Sequence, residues 1–244
     1  DGIPDKICYF RDGIETDAEP DGNVQFAESG IYYEAAHGKG QKSGFYCDQR
    51  KNRKIIERYA SGRTVLDMCS YTGGFTLHAL KAGAKSVDAV DSSESALRHL
   101  LFQIHLNEDK GVLAQGARDK VTIKSADAFD FIREIEDGKY DMIILDPPKL
   151  ARTKSKLENA QKAYKDLNRM AMRKIKDGGI IATFSCSGAM TREIFQMTLA
   201  WAAADADAEI QILDFLSAGE DHPVRMSFPE SEYLKGFILR VIKH

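Results

Sequence analysis

Three acidic residues and a pair of glycines in this 244-residue chain have the types and spacing of a site for a nucleotide-like ligand. Asp67 precedes the pair Gly73-Gly74, and Asp91 follows Asp67 by 24 residues. Glycine lets the backbone turn sharply and pass close to a ligand. A carboxylate at position 91 can accept hydrogen bonds from both hydroxyls of a ribose. Asp127, farther along the chain, is placed to accept a hydrogen bond from an adenine amino group.

The residues around the glycines distinguish between two cofactors. A dinucleotide fingerprint reads G-x-G-x-x-G, because a pyrophosphate needs several close backbone amides. Residues 67–75 instead read D-M-C-S-Y-T-G-G-F, and a carboxylate ahead of the glycines would repel a pyrophosphate. S-adenosylmethionine carries an ammonium and a sulfonium group, so Asp67 and Asp91 favour it. The sequence therefore predicts S-adenosylmethionine as the cofactor and argues against a dehydrogenase.

The elements that would position these residues alternate between strand and helix. This alternation indicates βαβ units and a mostly parallel sheet, in which a ligand binds at the carboxyl ends of the strands. The predicted fold class is α/β, a doubly wound Rossmann-like sheet with a terminal antiparallel β-hairpin. The predicted strands are Thr64–Met68, Ser86–Asp91, Lys120–Lys124, Tyr140–Leu145, Ile180–Ser185, Ala208–Phe215 and Tyr233–Ile242. The predicted helices are Asp48–Tyr59, Gly74–Ala82, Ser93–Asn107, Ala126–Ile135, Leu157–Lys176 and Thr191–Ala204.

The first 47 residues differ in pattern from the rest of the chain. Asn23–Phe26 and Ile31–Glu34, joined through Glu28-Ser29-Gly30, are typical of a β-hairpin. We expect residues 1–47 to form a small N-terminal β appendage or linker, and residues 48–244 to form the main domain. A flexible or tightly turned connection between them is marked by Gly38, Gly40 and Gly44.

Composition excludes several classes of protein. Hydrophobic residues make up 43% and charged residues 29%, which excludes disordered and collagen-like chains. No apolar run approaches the roughly 20 residues of a membrane helix, so we expect a cytoplasmic protein without membrane contact. The cysteines include no CxxC pair, which argues against a zinc site and against a disulfide framework. They are Cys8, Cys47, Cys69 and Cys186.

Several motifs resemble class I S-adenosylmethionine-dependent methyltransferases, and more closely the bacterial 23S ribosomal RNA cytosine-C5 methyltransferases. The motifs are G-Q-K-S-G-F-Y-C-D-Q-R (40–50), S-Y-T-G-G-F (70–75), D-P-P-K (146–149), F-S-C-S-G (184–188), D-H-P-V (221–224) and Y-L-K-G-F (233–237). The resemblance covers most of the chain. It implies a methyltransferase domain over residues 48–244 that forms 5-methylcytosine in ribosomal RNA.

The expected binding residues follow from these motifs and from the strand ends. Those for the cofactor are Asp67, Ser70, Tyr71, Thr72, Gly73, Gly74, Asp91, Ser92, Asp127 and Ala128. Those for the substrate are Lys149, Arg50 and His222. His222 could instead accept a proton or fix a loop, and Arg50 could lie against the cofactor region. No metal is expected.

Cytosine C5 is a poor nucleophile, and covalent catalysis is the usual solution. A thiolate adds to C6, after which C5 becomes enamine-like and takes the methyl group. This chemistry needs a cysteine at the carboxyl end of a central strand, and Cys186 follows Ile180–Ser185 directly. We therefore predict that Cys186 is the nucleophile. The resemblance assigns Asp146, which ends the preceding strand, to the N3 and N4 edge of the cytosine.

The chain departs from the family at two points. Many RNA cytosine methyltransferases carry a second cysteine where this chain has Lys149, which argues against a two-cysteine release of the product. Family members also carry an N-terminal RNA-binding domain of the PUA type, for which this chain is too short. Because the chain begins with Asp1 rather than methionine, we expect a processed protein or a catalytic fragment.

The formal net charge of −3 conceals an uneven distribution. Residues 149–176 carry ten basic and two acidic side chains, a net +8, which leaves −11 for the rest of the chain. Phosphate contacts supply much of the affinity for nucleic acids. A charge run more often marks a solvated helix face. The position of this run beside Asp146 nevertheless favours contact with RNA.

Other functions stay open at this point. The enzyme could methylate a nitrogen of another RNA base, which needs no nucleophilic cysteine. The chain could also be a non-catalytic RNA-binding assembly factor, although its complete set of cofactor residues argues against that function. The sequence also leaves a homodimer open.

Overall fold

The computed structural model describes residues 9–11, 14–16, 23–36, 44–150 and 157–244. Two small antiparallel sheets come first: β1 (Tyr9–Arg11) with β2 (Ile14–Thr16), and β3 (Asn23–Glu28) with β4 (Ile31–Ala36). Some residues named from the sequence lie outside the described ranges. They are Cys8, Gly38, Gly40, Arg152, Lys154 and Lys156.

A seven-stranded sheet forms the centre of the described structure. Its strands run in the order β10-β11-β9-β8-β5-β6-β7. They are β5 (Thr64–Met68), β6 (Ser86–Asp91), β7 (Val121–Ser125), β8 (Met142–Leu145), β9 (Ile180–Ser185), β10 (Ala208–Ser217) and β11 (Lys235–Lys243). Strands β5 to β9 pair in parallel, and β11 pairs antiparallel with both β9 and β10. The predicted α/β fold with a terminal antiparallel pair is confirmed.

Helices cover both faces of this sheet. They are α1 (Arg50–Ala60), α2 (Gly74–Lys81), α3 (Glu94–Asp109), α4 (Ala128–Glu134), α5 (Leu157–Lys174) and α6 (Arg192–Asp205). Alternate residues of β8 enter two separate cores, because successive side chains of a strand point to opposite faces. Ile144 packs in the core that includes side chains of α1, α2 and α3. Ile143 packs in the core that includes side chains of α4, α5 and α6.

The strand order reverses between β5 and β8. From β5 the chain proceeds outward to β6 and β7, and then returns to β8 on the other side of β5. In open α/β sheets a ligand binds outside the carboxyl ends of the strands at such a point. The fold therefore fixes the edge at which the functional residues are expected.

The start of the first predicted helix differs in the structure. Residues 47–49 form a 3-10 turn, and the α-helix begins only at Arg50. Asp48 and Gln49 in this turn are buried, and their side chains bond to Tyr233 and Asp146. These contacts reach across more than 90 residues of chain, so helical periodicity carried no sign of them.

The β3–β4 hairpin packs on α3, whose side chains bond to the edge of β4 in place of a neighbouring strand. Asn107 accepts from the Tyr32 N–H at 2.8 Å and donates to the Tyr32 carbonyl at 2.7 Å. Gln103 makes the same pair of contacts with the backbone of Glu34, each at 2.9 Å. Two side-chain amides thus satisfy the open edge of β4, which would otherwise expose unpaired backbone groups. Ile31 and Tyr33 are fully buried beside them.

A buried ion pair fixes the other strand of the hairpin. Two of the three guanidinium nitrogens of Arg53, Nε and Nη2, donate to the Glu28 carboxylate, each at 2.8 Å. Arg53 is 3% exposed and Glu28 is 8% exposed. The fully buried His78 lies beside this pair and bonds to Glu57 at 2.7 Å. Burial lowers the pKa of His78 to about 4, so it is neutral in the folded protein near pH 7.

Removing one charge of the buried pair should destabilise the protein strongly. Replacing Glu28 with Gln leaves the Arg53 cation buried without its counter-charge, and we expect a loss of about 3 kcal/mol in the free energy of unfolding. Urea denaturation followed by circular dichroism measures it. Glu34→Gln on the same hairpin is the matched control and should change stability by about 0.5 kcal/mol or less. Equal effects of the two substitutions would contradict the assignment.

Candidate active site

The sequence-predicted residues meet along one edge of the central sheet. Five adjacent strands end there, in the spatial order β7, β6, β5, β8 and β9. Their ends carry, in the same order, Asp127, Asp91, the turn at residues 67–74, Asp146 and Cys186. The cofactor residues and the predicted catalytic residues therefore lie on the two sides of the strand-order reversal.

The turn after β5 has an unusual backbone. Cys69, Tyr71 and Gly73 all have positive φ angles, of 60°, 49° and 85°. Such angles are costly for residues other than glycine and persist only where the surrounding structure imposes them. The Ser70 N–H donates to the Val90 carbonyl at 3.0 Å, and the Gly73 N–H donates to the Ser70 carbonyl at 2.8 Å. The first bond ties the turn to the end of β6, and the second folds the turn back on itself before α2 begins.

The glycines of this turn serve packing as well as conformation. A Cβ at position 73 would lie 1.9 Å from Cδ1 of Leu100 on α3. A Cβ at position 74 would lie 3.0 Å from Cδ of Arg53 on α1. The glycines therefore allow α3 and α1 to pack closely on this turn, in addition to any ligand. Arg53, which forms the buried ion pair, is the α1 side chain in contact with the turn.

Asp91 links the two loops that enclose the cofactor region. Its Oδ2 accepts from the Tyr71 N–H and its Oδ1 from the Ser93 N–H, each at 2.8 Å. Each carboxylate oxygen keeps a further lone pair. The side chain is partly exposed, so these lone pairs suit the hydroxyls of a ribose. Ser92, between the two loops, is exposed.

Asp67 lies beneath the turn. It is fully buried, and its Oδ2 accepts from the Thr76 hydroxyl at 2.6 Å. Its Oδ1 and the hydroxyl of Ser70 have no hydrogen-bond partner within the described ranges. Burial raises the pKa of Asp67 to about 7, and the nearby Asp91 adds to this. A cationic ammonium group at this turn would stabilise a carboxylate that burial otherwise penalises.

Asp127 marks the third strand of the cofactor half. Its Oδ1 accepts from the N–H groups of Phe129 and Asp130, at 2.8 and 3.2 Å, and so caps α4. The side chain is exposed and keeps Oδ2 as an acceptor, which suits an adenine amino group. Ala128 next to it is partly buried and Thr72 in the turn is buried. The residues at all three strand ends therefore fit S-adenosylmethionine.

Asp146 lies between the two halves of the site. Gln49 Nε2 donates to its Oδ1 at 3.0 Å. Burial raises the pKa of Asp146 to about 7, and the carboxylates of Asp48 and Asp67 raise it too. Pro147 and Pro148 follow at once and fix an extended backbone. Asp146 is therefore a carboxyl group that can exist in both protonation states near neutral pH.

Cys186 follows β9 and is partly buried against the core that contains Ile144 and side chains of α1, α2 and α3. Burial is the main cause of the shifted pKa values of Tyr46, Tyr164, Tyr233 and Lys235, and a negative charge on Cys186 would raise all four. These residues come from four separate parts of the chain. Around Cys186, the Tyr233 hydroxyl donates to Asp48 at 2.7 Å. Tyr46 packs edge-on against Tyr71 of the cofactor turn, with ring centroids 5.4 Å apart. Aromatic contacts thus connect the surroundings of the thiol with the cofactor turn.

The other described cysteines have different settings. Cys47 is exposed. Cys69 lies within the cofactor turn, and burial together with nearby carboxylates raises the pKa of its thiol. A thiol with a raised pKa is a poor source of thiolate. Cys186 differs from both, because it is partly buried, unlike Cys47, and directly follows the central strand β9 instead of lying in the cofactor turn like Cys69.

The expected substrate-binding residues do not form one group. Arg50 pairs with Asp221 at 3.2 Å and Glu220 at 3.8 Å. His222 lies next to Asp221 and lines a cavity of about 240 Å³ with the loop before β11. Lys149, after the two prolines, is exposed. Arg50 and His222 therefore belong to one loop system, while Lys149 stands at the end of β8.

The basic segment is largely paired in three dimensions. Of its ten basic residues, three lie outside the described ranges. Five others form ion pairs with acids, some of them from α4, α6 and β8 or their loops. They are Lys162, Lys165, Arg169, Lys174 and Lys176. Three of these pairs use acids from outside the segment, Asp205, Asp137 and Asp141, so folding neutralises part of the +8 counted along the sequence.

Sequence reasoning missed several residues of the site. The motif at residues 40–50 was recognised, but only Arg50 was assigned from it. Three residues of that motif contact other parts of the site: Tyr46 packs on Tyr71, Asp48 accepts from Tyr233, and Gln49 donates to Asp146. The Y-L-K-G-F motif likewise holds residues that surround Cys186, and none of them was assigned. These two motifs were the sequence signal from which the missing residues could have been identified.

No group of three or more His, Cys, Asp or Glu side chains in the described ranges is arranged to hold a metal ion. None of the helices that the structure describes has the length and apolar character needed to cross a membrane.

The fold and site define a class that comparison with known proteins identifies. The model of the S-adenosylmethionine-dependent methyltransferase family matches residues 3–217. The chain belongs to this family, and the prediction of S-adenosylmethionine as its cofactor is confirmed.

The named relatives are more specific. The chain is 43% identical over 220 residues to ribosomal RNA large subunit methyltransferase I of Shewanella frigidimarina, covering 89% of this chain and 54% of the relative. It is 42% identical over 231 residues to the protein of the same name from Tolumonas auensis, covering 94% and 56%. The chain thus spans little more than half the length of these relatives.

Solved structures agree on the fold. The crystal structure of SMU.776 complexed with SAH matches with a TM-score of 0.78 and 26% identity, over 91% of this chain and 57% of that one. TYW2 from P. horikoshii, in complex with MeSAdo, matches with a TM-score of 0.67 and 19% identity, over 93% and 74%. The second likeness concerns the fold alone.

Asp91→Ala should weaken cofactor binding. The substitution removes the predicted acceptor for the ribose and releases the N–H groups of Tyr71 and Ser93, so we expect S-adenosylmethionine to bind about 10- to 100-fold more weakly. Isothermal titration calorimetry measures the change. Asp88→Ala is the control, because Asp88 lies on the same strand but bonds to Lys139 and Tyr140. Unchanged affinity of the Asp91 variant would refute the assignment.

Asp146→Asn should stabilise the protein at alkaline pH. The folded pKa of about 7 exceeds the unfolded value of about 3.9, so ionised Asp146 destabilises the fold as pH rises from 4 through 7. Asparagine removes this penalty. We expect a melting temperature at least about 2 °C higher than wild type at pH 8, and a smaller difference at pH 5. A difference that does not depend on pH would contradict the raised pKa.

Proposed function

We propose that the chain is the catalytic part of a ribosomal RNA large-subunit methyltransferase that forms 5-methylcytosine through a covalent adduct with Cys186. One observation carries the proposal. Asp146 and Cys186 follow the carboxyl ends of two neighbouring parallel strands, β8 and β9, beside the cofactor turn. The names of the relatives support the ribosomal RNA substrate. We also propose residues 48–244 as the methyltransferase domain and residues 1–47 as an appendage to it.

Addition of a thiolate solves the problem of the unreactive carbon. The Cys186 sulfur forms a bond to C6 of the cytosine, the electron pair of the C5–C6 double bond shifts to C4–C5, and the electron pair of the C4–N3 double bond moves onto N3. The adduct is enamine-like at C5, which becomes nucleophilic. When bound, S-adenosylmethionine supplies the methyl group at this edge of the sheet. A base then removes the C5 proton, and the C6–S bond breaks to release Cys186.

Asp146 suits the polar edge of the base. Addition at C6 builds negative charge toward N3, and a protonated carboxyl can donate a hydrogen bond there. An ionised carboxyl can accept from the N4 amino group. A pKa of about 7 makes both forms available near neutral pH, which is the range in which a general acid is most effective. Gln49 holds Oδ1, so the carboxyl group has a fixed orientation.

Lys149 replaces the second cysteine that other RNA cytosine methyltransferases carry. An ammonium group cannot repeat the chemistry of a thiol in product release. We assign Lys149 to a phosphate of the RNA, because it is exposed and lies three residues after Asp146. The proposed RNA contact rests on this end of the basic segment, since the basic residues of α5 are largely paired with acids.

RNA that contains 5-fluorocytosine at the target tests the covalent step. Fluorine at C5 blocks the loss of a proton there, so the adduct should persist after methyl transfer. We expect a one-to-one complex of protein and RNA that survives a denaturing gel. The complex should form with wild type and with the control Cys47→Ala, whose thiol is exposed. It should not form with Cys186→Ala.

Methyl transfer completes the test. Cys186→Ala should lower the rate of methylation of unmodified RNA by about 10³-fold or more, while calorimetry shows unchanged binding of S-adenosylmethionine. Mapping of the methylated base by mass spectrometry identifies the product. Full activity of the variant, or a methyl group on a ring or exocyclic nitrogen, would overturn the cytosine-C5 proposal in favour of a nitrogen target.

A further inference from the structure

Lys235 is a buried cation close to Cys186, and the proposed chemistry assigns it no role. It begins β11 and is 1% exposed. In the antiparallel pairing of β11 with β9, Lys235 lies opposite Ser185, the residue before Cys186. A lysine is almost never fully buried unless it has a partner. Its position therefore needs an explanation.

The ammonium group holds the turn that follows Cys186. Lys235 Nζ donates to the Ser187 carbonyl at 2.9 Å and also to the Met190 carbonyl. The Met190 N–H donates to the Ser187 carbonyl at 3.0 Å, which closes the turn at residues 187–190. The lysine thus ties the segment that carries the thiol to the neighbouring strand.

Among the side chains that the structure describes, no carboxylate lies within ion-pair distance of the buried Lys235 Nζ. Glu232 influences it, but that carboxylate is paired with Arg192 at 2.9 Å. Burial lowers the pKa of Lys235 to about 8, while the charge of Cys186 acts in the opposite direction. The ammonium form therefore predominates at neutral pH, and a thiolate nearby would stabilise it.

The remaining groups around Cys186 come from several elements. Tyr46 precedes α1, Tyr164 is on α5 and Tyr233 precedes β11, and all three are phenols with raised pKa values. Asp146 directly follows the adjacent strand β8, and its ionised form disfavours a thiolate. Lys235 is a cation that interacts with the charge of Cys186. Its positive charge can offset the negative charge of that carboxylate.

We propose that Lys235 is a positioning residue for Cys186, which orients the turn after β9 and favours the thiolate form of the nucleophile. This inference rests on the proposed function, because it assigns Lys235 to the cysteine that attacks C6. Two backbone carbonyls fix the position of the ammonium group, so its charge is already in place when the thiolate forms.

Alkylation of Cys186 by iodoacetamide tests the proposal without any RNA. The rate is measured against pH by mass spectrometry of the modified peptide. In wild type we expect a midpoint below about 8.5, the value of a free cysteine. Lys235→Met should raise the midpoint by about one pH unit, which lowers the alkylation rate at pH 7 about tenfold. Lys235→Arg should restore at least part of the shift.

Lys243→Met is the matched control. Lys243 lies at the opposite end of the same strand and also donates to a backbone carbonyl, that of Arg173, at 2.8 Å. It should leave the midpoint of Cys186 alkylation unchanged. Binding of S-adenosylmethionine by each variant, measured by calorimetry, reports whether the cofactor half of the site is intact.

Each outcome decides the inference. An identical midpoint in wild type and a folded Lys235→Met variant would overturn it, even if methyl transfer falls. If Lys235→Met does not fold, the wild-type midpoint decides, and a value at or above that of a free cysteine overturns the inference. If Cys186→Ala keeps full methyl transfer, that result would refute the proposed function instead. Any shift in Cys186 alkylation between wild type and Lys235→Met would still stand.

Discussion

The parallel pairing of β5 with β8 is the constraint on which the site depends. It places the turn after β5 beside the end of β8, although about 70 residues separate them in sequence. The neighbouring pairings β5–β6 and β8–β9 then extend the same edge in both directions. The predicted cofactor residues come from one side of the reversal, and Asp146 and Cys186 come from the other. A change in strand order would separate them.

This edge concentrates groups whose charge burial disfavours. Asp67 and Asp146 are carboxyl groups with pKa values raised to about 7, and Lys235 is an amine with its pKa lowered to about 8. Each group costs stability in its charged form, and functional sites are where such costs are commonly retained. The rest of the fold offsets them through its two hydrophobic cores. The bidentate pair of Arg53 with Glu28 positions the side chain that packs on Gly74.

The sequence allowed the order of strands and helices, the cofactor and the strand-end residues to be predicted, because periodicity and turn residues are local signals. It did not allow the electrostatic character of the basic segment to be predicted. Lys165 and Lys174 pair with Asp205 and Asp137, which are distant in sequence. A charge count along the chain cannot include partners that folding brings from elsewhere. The same reason explains why Gln49 and Lys235 escaped notice.

By itself the sequence determined that Asp67, Asp91, Asp127, Asp146 and Cys186 each lie at or just beyond the carboxyl end of a strand, and that those strands belong to an α/β sheet. Tertiary structure alone decided which strands are neighbours and which side chains surround the thiol. It set Gln49 on Asp146 and the ammonium of Lys235 on the turn after Cys186. Strand propensity depends on a few adjacent residues, whereas burial, pairing and the pKa of a side chain depend on atoms from the whole folded chain.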